Sequence, residues 1–182
     1  MLNALKCAQR TVGAPESGAQ SWGRAVSNEL ARRDPHWIRT GVAVKPSYET
    51  PELEAWLKEK RNEHQVRTAE RLGERGYHFH FQIDERHFFD HKKGQQQTIG
   101  LADGIVSGEQ WELKTLQSGN GKGSVNSAFK SVKKKEGVDV FVLDNTESRL
   151  SDQDVRRWAE EYMYSRGISR VLFLGNGIMR YL

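Results

Sequence analysis

Two short runs of mostly apolar residues, at 138–143 (VDVFVL) and 170–175 (RVLFLG), constrain the fold of this chain most strongly. Each run has six residues, which is too short for a buried helix and typical of a buried strand. Between them Ser151 precedes an amphipathic pattern that ends at Gly167, as expected for a helix with a serine N-cap and a C-terminal glycine. The C-terminal part of the chain therefore predicts two buried strands joined by a helix.

The upstream residues predict further elements of both kinds. A helix is expected over residues 51–76, with Thr50 as N-cap and Pro51 at its first position. Tyr77, Phe79 and Phe81 then alternate with polar residues, which indicates a strand with one buried face. The remaining expectations are an irregular polar stretch at 88–98, a β-hairpin turning at Ser107-Gly108, a glycine-rich loop at 118–124, a helix at 124–135 and an edge strand at 178–182.

The element order from residue 51 is helix, three strands, helix, strand, helix, strand. This order predicts the α/β (α+β) class, with a central mixed sheet flanked by helices. Residues 1–50 lack sustained periodicity and are expected to form an irregular or partly helical N-terminal arm, with one short helix at 21–33. Residues 51–182 are expected to form the folded domain.

Composition excludes several classes of protein. A single cysteine, Cys7, leaves no disulfide framework within the chain and no multi-cysteine zinc site. No run of 18 apolar residues is present, so a membrane-spanning helix is not expected, and the first ten residues are too polar for a signal peptide. These features predict a cytoplasmic protein. The net charge of +4 favours polyanionic partners only weakly.

One group of polar residues could carry chemistry. Glu112 and Lys114 are two positions apart on a predicted strand, so their side chains point to the same face. Asp103 lies on the preceding strand of the hairpin, and pairing would bring it close to them. Two carboxylates can hold a divalent cation, which activates water, while a lysine neutralises developing charge. This combination suits phosphodiester cleavage. The alternative is an ordinary solvent-exposed ion pair.

The residues ADG (102–104) and WELKT (111–115), with a helix before them and a helix and strand after them, resemble the PD-(D/E)xK nuclease superfamily. The implied core is αβββαβ, and Ala102 stands where the superfamily pattern has proline. The progression from Gly76-Tyr77 through these residues to a VDVFVLD strand is similar to the C-terminal transfer-RNA-cleaving domains of contact-dependent growth inhibition toxins. The resemblance covers residues 60–182.

This resemblance implies metal ligation by Asp103 and Glu112, catalysis by Lys114 and support from a glutamate on the first helix. Glu70 is preferred for that support and Glu63 is the second candidate; the alternative for either is a solvated glutamate paired with a nearby arginine. The implied metal is Mg²⁺, with Mn²⁺ or Zn²⁺ as alternatives. The implied partners are transfer RNA or DNA and a cognate immunity or inhibitor protein.

Five further residues are candidates for substrate binding. Thr115 and Gln117 continue the strand, and Gln117 is expected on the face of Glu112 and Lys114. Lys130, Lys133 and Lys134 would bind phosphates if their helix flanks the cleft; otherwise they are expected, together with Lys135, to form a solvated helix face.

These residues and the resemblance predict a metal-dependent endonuclease, and only the similarity to the toxin domains favours RNA, and transfer RNA in particular, over DNA. A DNA endonuclease of the restriction or recombination type is one alternative. A catalytically inactive member of the fold that binds nucleic acid or protein is the other, and it predicts that Asp103, Glu112 and Lys114 do not converge.

Overall fold

The computed structural model describes residues 29–60, 62–90, 95–117 and 121–182, without the side chains of 86–90 and 97. The chain divides into two units, residues 1–32 and 33–182. The second unit begins earlier than the expected domain boundary at residue 50. Residues 35–48 form a short helix and a strand of this unit because Trp37 and Ser47 hydrogen-bond to the backbone of residues 74–79 and to nearby histidines.

The described part of the second unit contains both helices and strands. The helices are α1 (Pro35–Thr40), α2 (Pro51–Leu57), α3 (Glu63–Glu74), α4 (Lys122–Val132) and α5 (Asp152–Arg166). The strands are β1 (Ser47–Tyr48), β2 (His80–Phe81), β3 (Glu85–Asp90), β4 (Gln95–Gly100), β5 (Gly104–Val106), β6 (Glu109–Thr115), β7 (Val140–Asp144), β8 (Val171–Gly175) and β9 (Ile178–Tyr181).

Seven of these strands form a mixed sheet in the order β1-β2-β5-β6-β7-β8-β9. The pairs β1/β2, β6/β7 and β7/β8 are parallel, whereas β2/β5, β5/β6 and β8/β9 are antiparallel. Helices cover both faces, so the expected mixed α/β class with a central sheet is confirmed. In the described ranges no helix is both long and apolar enough to cross a membrane.

The side chains of β6 alternate between two hydrophobic cores. Trp111 and Leu113 pack with the buried residues of α3, such as Ala69 and Leu72. On the opposite face, α4 and α5 cover Phe141 of β7 and its neighbours. The neighbouring strands β7 and β8 are buried along their whole length. Polar side chains on β6 that point toward α4 therefore lie at the edge of a core and not in open solvent.

The expectation of a single helix at 51–76 is wrong, because the helical conformation is interrupted between α2 and α3. Thr50 does cap α2, where its hydroxyl accepts a hydrogen bond from the Leu53 amide at 3.1 Å. The break follows from residues 58–65 (KEKRNEHQ), which include no apolar side chain that a continued helix could bury. A turn at this point lets both Leu57 and Val66 reach the same core.

The stretch expected to be irregular contains the antiparallel hairpin β3/β4. Its residues have few apolar side chains, but strand pairing satisfies their backbone groups regardless of side-chain type. The two helices expected near 124–135 and 151–167 are confirmed within a few residues. So are the three strands expected near 138–143, 170–175 and 178–182. The arm at 1–28, most of the helix at 21–33 and the loop centre at 118–120 lie outside the described residues.

Candidate active site

The first two residues of the site lie on one face of β6. Lys114 Nζ is 2.5 Å from Glu112 Oε1, and the Glu112 side chain is fully buried. The two residues between and before them, Leu113 and Trp111, point into the opposite core. The alternation of a strand thus places this acid and this base together at the side of the sheet that α4 covers.

Asp103 joins them through the register of the hairpin. Gly104 pairs with Trp111, so the preceding residue, Asp103, lies opposite Glu112. Asp103 is 4% exposed, and its Oδ2 accepts a hydrogen bond from the Leu113 amide at 2.7 Å. This bond fixes the carboxylate and leaves Oδ1 free to contact the ammonium of Lys135. The three residues proposed from the sequence are therefore brought into one cluster.

A second lysine, Lys135, lies between the two carboxylates. Its Nζ is 2.9 Å from Asp103 Oδ1 and 2.8 Å from Glu112 Oε2. A third carboxylate, Asp84 Oδ2, is 3.4 Å from the same nitrogen. Because one nitrogen contacts both oxygens, Asp103 Oδ1 and Glu112 Oε2 can be no farther apart than the sum of those two distances.

The electrostatics of the cluster are unbalanced. Burial raises the pKa of Glu112 to about 7, and the negative charge of Asp103 adds to this rise although Lys114 and Lys135 oppose it. Burial lowers the pKa of Lys135, but the charges of Asp103 and Glu112 outweigh this and leave it above its ordinary value. Among the described residues, the Glu112 carboxylate contacts the ammonium groups of Lys114 at 2.5 Å and Lys135 at 2.8 Å. A further cation at Oε2 would therefore have to displace the ammonium of Lys135.

The donor set fits a hard divalent cation. Asp103 Oδ1 and Glu112 Oε2 point at one position, and Mg²⁺ characteristically uses one or two carboxylates together with waters and substrate phosphates. The described residues contain no group of three or more His, Cys, Asp or Glu arranged to hold a metal. Water or substrate oxygens would therefore complete such a site, and the ammonium of Lys135 now lies where the cation would bind.

An open cavity of about 540 Å³ adjoins Lys114. Its walls come from the end of β6 and from one face of α4: Lys114, Thr115, Leu116, Gln117, Gly123, Ser124, Ser127, Ala128 and Ser131. Both strand residues expected to touch substrate, Thr115 and Gln117, are among them. The expectation that Gln117 shares the face of Glu112 is wrong, because the period of two places Leu116 there, buried against α4. Gln117 is exposed beyond the end of the strand.

The helix glutamates are not part of this cluster. Glu63 and Glu70 are exposed on α3, whose buried side chains face Trp111 and Leu113 on the opposite side of the sheet. Glu63 Oε2 instead pairs with Arg67 at 3.0 Å. The structure thus places both glutamates on the helix surface and does not bring either of them to the cluster, so their supporting role stays a prediction.

The lysines of α4 and of the segment directly after it divide into two sets. Lys130, Lys133 and Lys134 are exposed, which is compatible with either a solvated face or phosphate contacts. Lys135 is 13% exposed and belongs to the site, a role that the sequence analysis missed. Lys135 lies beyond the last residue of α4 and is placed by its bridge to Gly100, a contact between distant segments that no local sequence pattern indicates.

Comparison of the chain with models of known protein families, with curated proteins and with solved structures finds no match, so the candidate active site stands on its own geometry and chemistry.

Proposed function

We propose that this protein is a metal-dependent endonuclease that hydrolyses phosphodiester bonds, with RNA, and transfer RNA first, as its substrate. The observation that carries the proposal is the convergence of Asp103, Glu112 and Lys114 beside the cavity at the end of β6. The order of α3, β2, β5, β6, α4 and β7 also supports a PD-(D/E)xK-type core. A solvated ion pair explains neither a fully buried Glu112 nor the adjoining cavity.

Each residue has a distinct task in this reaction. Asp103 Oδ1 and Glu112 would hold the cation, while the Leu113 amide keeps the Asp103 carboxylate oriented. When bound, the divalent cation polarises a phosphoryl oxygen and lowers the pKa of a water. Lys114, 25% exposed and facing the cavity, is placed to donate hydrogen bonds to the attacking water or to a non-bridging phosphate oxygen.

The cavity walls supply the remaining contacts to a phosphodiester chain. Ser124, Ser127 and Ser131 line the α4 side, and the Ser127 hydroxyl donates a hydrogen bond to the Gly123 carbonyl at 3.0 Å, which phosphate would replace. Hydroxyl groups commonly donate hydrogen bonds to phosphate and sugar oxygens without reading base sequence. These contacts would position a strand along α4, with its phosphate next to Lys114.

The test is incubation of the purified protein with total transfer RNA, with plasmid DNA and with each of Mg²⁺, Mn²⁺ and Zn²⁺. Metal-dependent cleavage of transfer RNA that Lys114→Ala abolishes is the expected result. Cleavage of plasmid alone would transfer the proposal to the DNA endonuclease alternative. Binding of either nucleic acid without cleavage under any metal would instead favour a catalytically inactive member of the fold.

A further inference from the structure

Lys135 is held in the candidate active site by its backbone as well as by its charge. It pairs with Gly100 at the end of β4, and the next residue, Glu136, donates its amide hydrogen to the Gly100 carbonyl at 2.9 Å. The side chain then extends inward, and its own ammonium nitrogen lies near three carboxylates. This arrangement directs a buried ammonium group to one fixed position, unlike the exposed lysines that precede it in the chain.

That position is the one a divalent cation needs. Metal ligation requires carboxylate oxygens at about 2.0–2.6 Å from the cation. The two oxygens that converge, from Asp103 and Glu112, already lie at 2.9 and 2.8 Å from Lys135 Nζ. The ammonium of Lys135 and a divalent cation cannot both contact these two oxygens, because their mutual repulsion in a buried site would be large.

We propose that Lys135 occupies the metal position in the metal-free protein and is displaced when a divalent cation binds. The inference rests on the metal site of the proposed function but requires no cleavage. Asp84 provides the second position for the ammonium, since its carboxylate is 3.4 Å from Nζ and 46% exposed. Lys135 thus exchanges a pair of buried carboxylates for a half-exposed one, and the cluster retains a positive partner in both states.

The displacement has a direct consequence for metal affinity. Binding must break two ion pairs of Lys135, so removal of its charge strengthens binding. Titration of the full chain with Mn²⁺ would compare wild type, Lys135→Met and Lys134→Met, the last being an exposed neighbour that removes the same charge. We expect Lys135→Met to bind Mn²⁺ at least about tenfold more tightly than wild type, a factor that corresponds to about 1.4 kcal/mol, and Lys134→Met to differ by less than about twofold.

The wild-type chain offers a second measurement that does not depend on how the variant folds. Amine acylation followed by mass spectrometry reports the accessibility of each lysine. Labelling of Lys135 should rise about fivefold or more when Mn²⁺ is added, while labelling of Lys134 should stay constant.

Two outcomes overturn the inference. One is Mn²⁺ affinity in Lys135→Met that is equal to or weaker than in wild type, including no binding by either; the other is protection of Lys135 that persists with Mn²⁺ bound. Cleavage assays separate this inference from the proposed function. Displacement without cleavage would remove only the nuclease, and cleavage without displacement would remove only the role of Lys135.

Discussion

Each face of the sheet carries a cluster of ion-paired acidic and basic side chains near the end of β6. The two clusters differ in the hydrogen bonds that their buried carboxylates accept. On the α3 face, Asp144 is fully buried and accepts hydrogen bonds from Thr68 at 2.6 Å and from Arg71 at 2.7 Å. Its other oxygen accepts two more from Thr146. On the α4 face, the equally buried Glu112 has only ammonium contacts.

The difference appears in the acidity of the two clusters. Hydrogen bonds from Arg67 and Arg71 to Glu147 lower the pKa of that carboxyl to about 2. Burial raises the pKa of Glu112 to about 7. The first network joins α3 to the end of β7 through hydrogen bonds to every carboxylate oxygen of Asp144, as expected of a structural cluster. The second combines a buried carboxyl of raised pKa with an adjoining cavity, as expected of the proposed functional site.

The largest expected effect is on activity. Lys114→Ala should lower the cleavage rate by about 100- to 1,000-fold, because its ammonium is assigned to charge that develops in the transition state. Single-turnover cleavage of transfer RNA measures this. Added metal should not rescue Lys114→Ala but should partly rescue Glu112→Gln, which weakens a ligand. Cleavage by Lys114→Ala at the wild-type rate, with unchanged thermal unfolding, would reduce the pair to an ordinary ion pair.

A substitution in the cluster on the α3 face should change the free energy of unfolding. Arg71→Met removes one guanidinium from Asp144 and Glu147 and should lower the free energy of unfolding by about 2–3 kcal/mol. Urea denaturation measures this change. The matched control is Arg157→Met, which breaks an exposed pair with Asp154 and should cost less than about 0.5 kcal/mol. If Arg71→Met also lowers cleavage by folded protein, the division of roles between the faces fails.

The pH dependence of stability should have opposite signs for the two clusters. Glu147 has a lowered pKa, so its contribution is present above about pH 4.5 and is lost as pH falls toward about 2. Glu112 has a raised pKa, so the free energy of unfolding should fall as pH rises from about 4.5 to about 7, by at most about 1.4 kcal/mol per pH unit.

Denaturation of metal-free protein across this range measures both effects. Glu147→Gln should flatten only the acidic part, and Glu112→Gln only the part from about pH 4.5 to 7. Equal effects of both variants in one range would show that the clusters are not distinct.

The smallest expected effect concerns the exposed lysines of α4. Neutralising Lys130, Lys133 and Lys134 should weaken nucleic-acid binding and reduce its salt dependence, with a change of about 0.7–0.9 in the log–log slope for each lost phosphate contact. Binding is measured in the Lys114→Ala background so that cleavage does not interfere. Neutralising the exposed Lys45, Lys58 and Lys60 is the control for net charge. An equal change in the control would assign the lysines to a solvated face.

Local sequence patterns were sufficient to predict an element when its ends or its buried face depend only on residues within that element. The helix between Ser151 and Gly167 is confirmed because a side-chain cap and a left-handed glycine fix its two ends. The alternation of Tyr77, Phe79 and Phe81 is confirmed as a buried face. The two-residue spacing of Glu112 and Lys114 likewise places both on one face of β6.

Features that depend on contacts between distant segments could not be predicted in this way. The break between α2 and α3 arises because two apolar stripes share one core, which no single window of sequence reveals. Lys135 was expected on a solvated face, yet it ion-pairs with residues 32 and 23 positions earlier in the chain. Its charge suggested exposure, whereas its inward position follows from the bridge to Gly100, a residue far from it in the sequence.

The register that places Asp103 opposite Glu112 also bears on the order of folding. An isolated hairpin of β5 and β6 would bring two carboxylates together with only Lys114 nearby, and like charges directly opposite each other destabilise a strand pair. Lys135 arrives only when the crossover through α4 closes and β6 pairs in parallel with β7. Such long-range closure is slow compared with hairpin formation. The residues of the candidate site should therefore acquire their arrangement late, together with the parallel sheet, and a fragment ending before α4 should not contain a formed site.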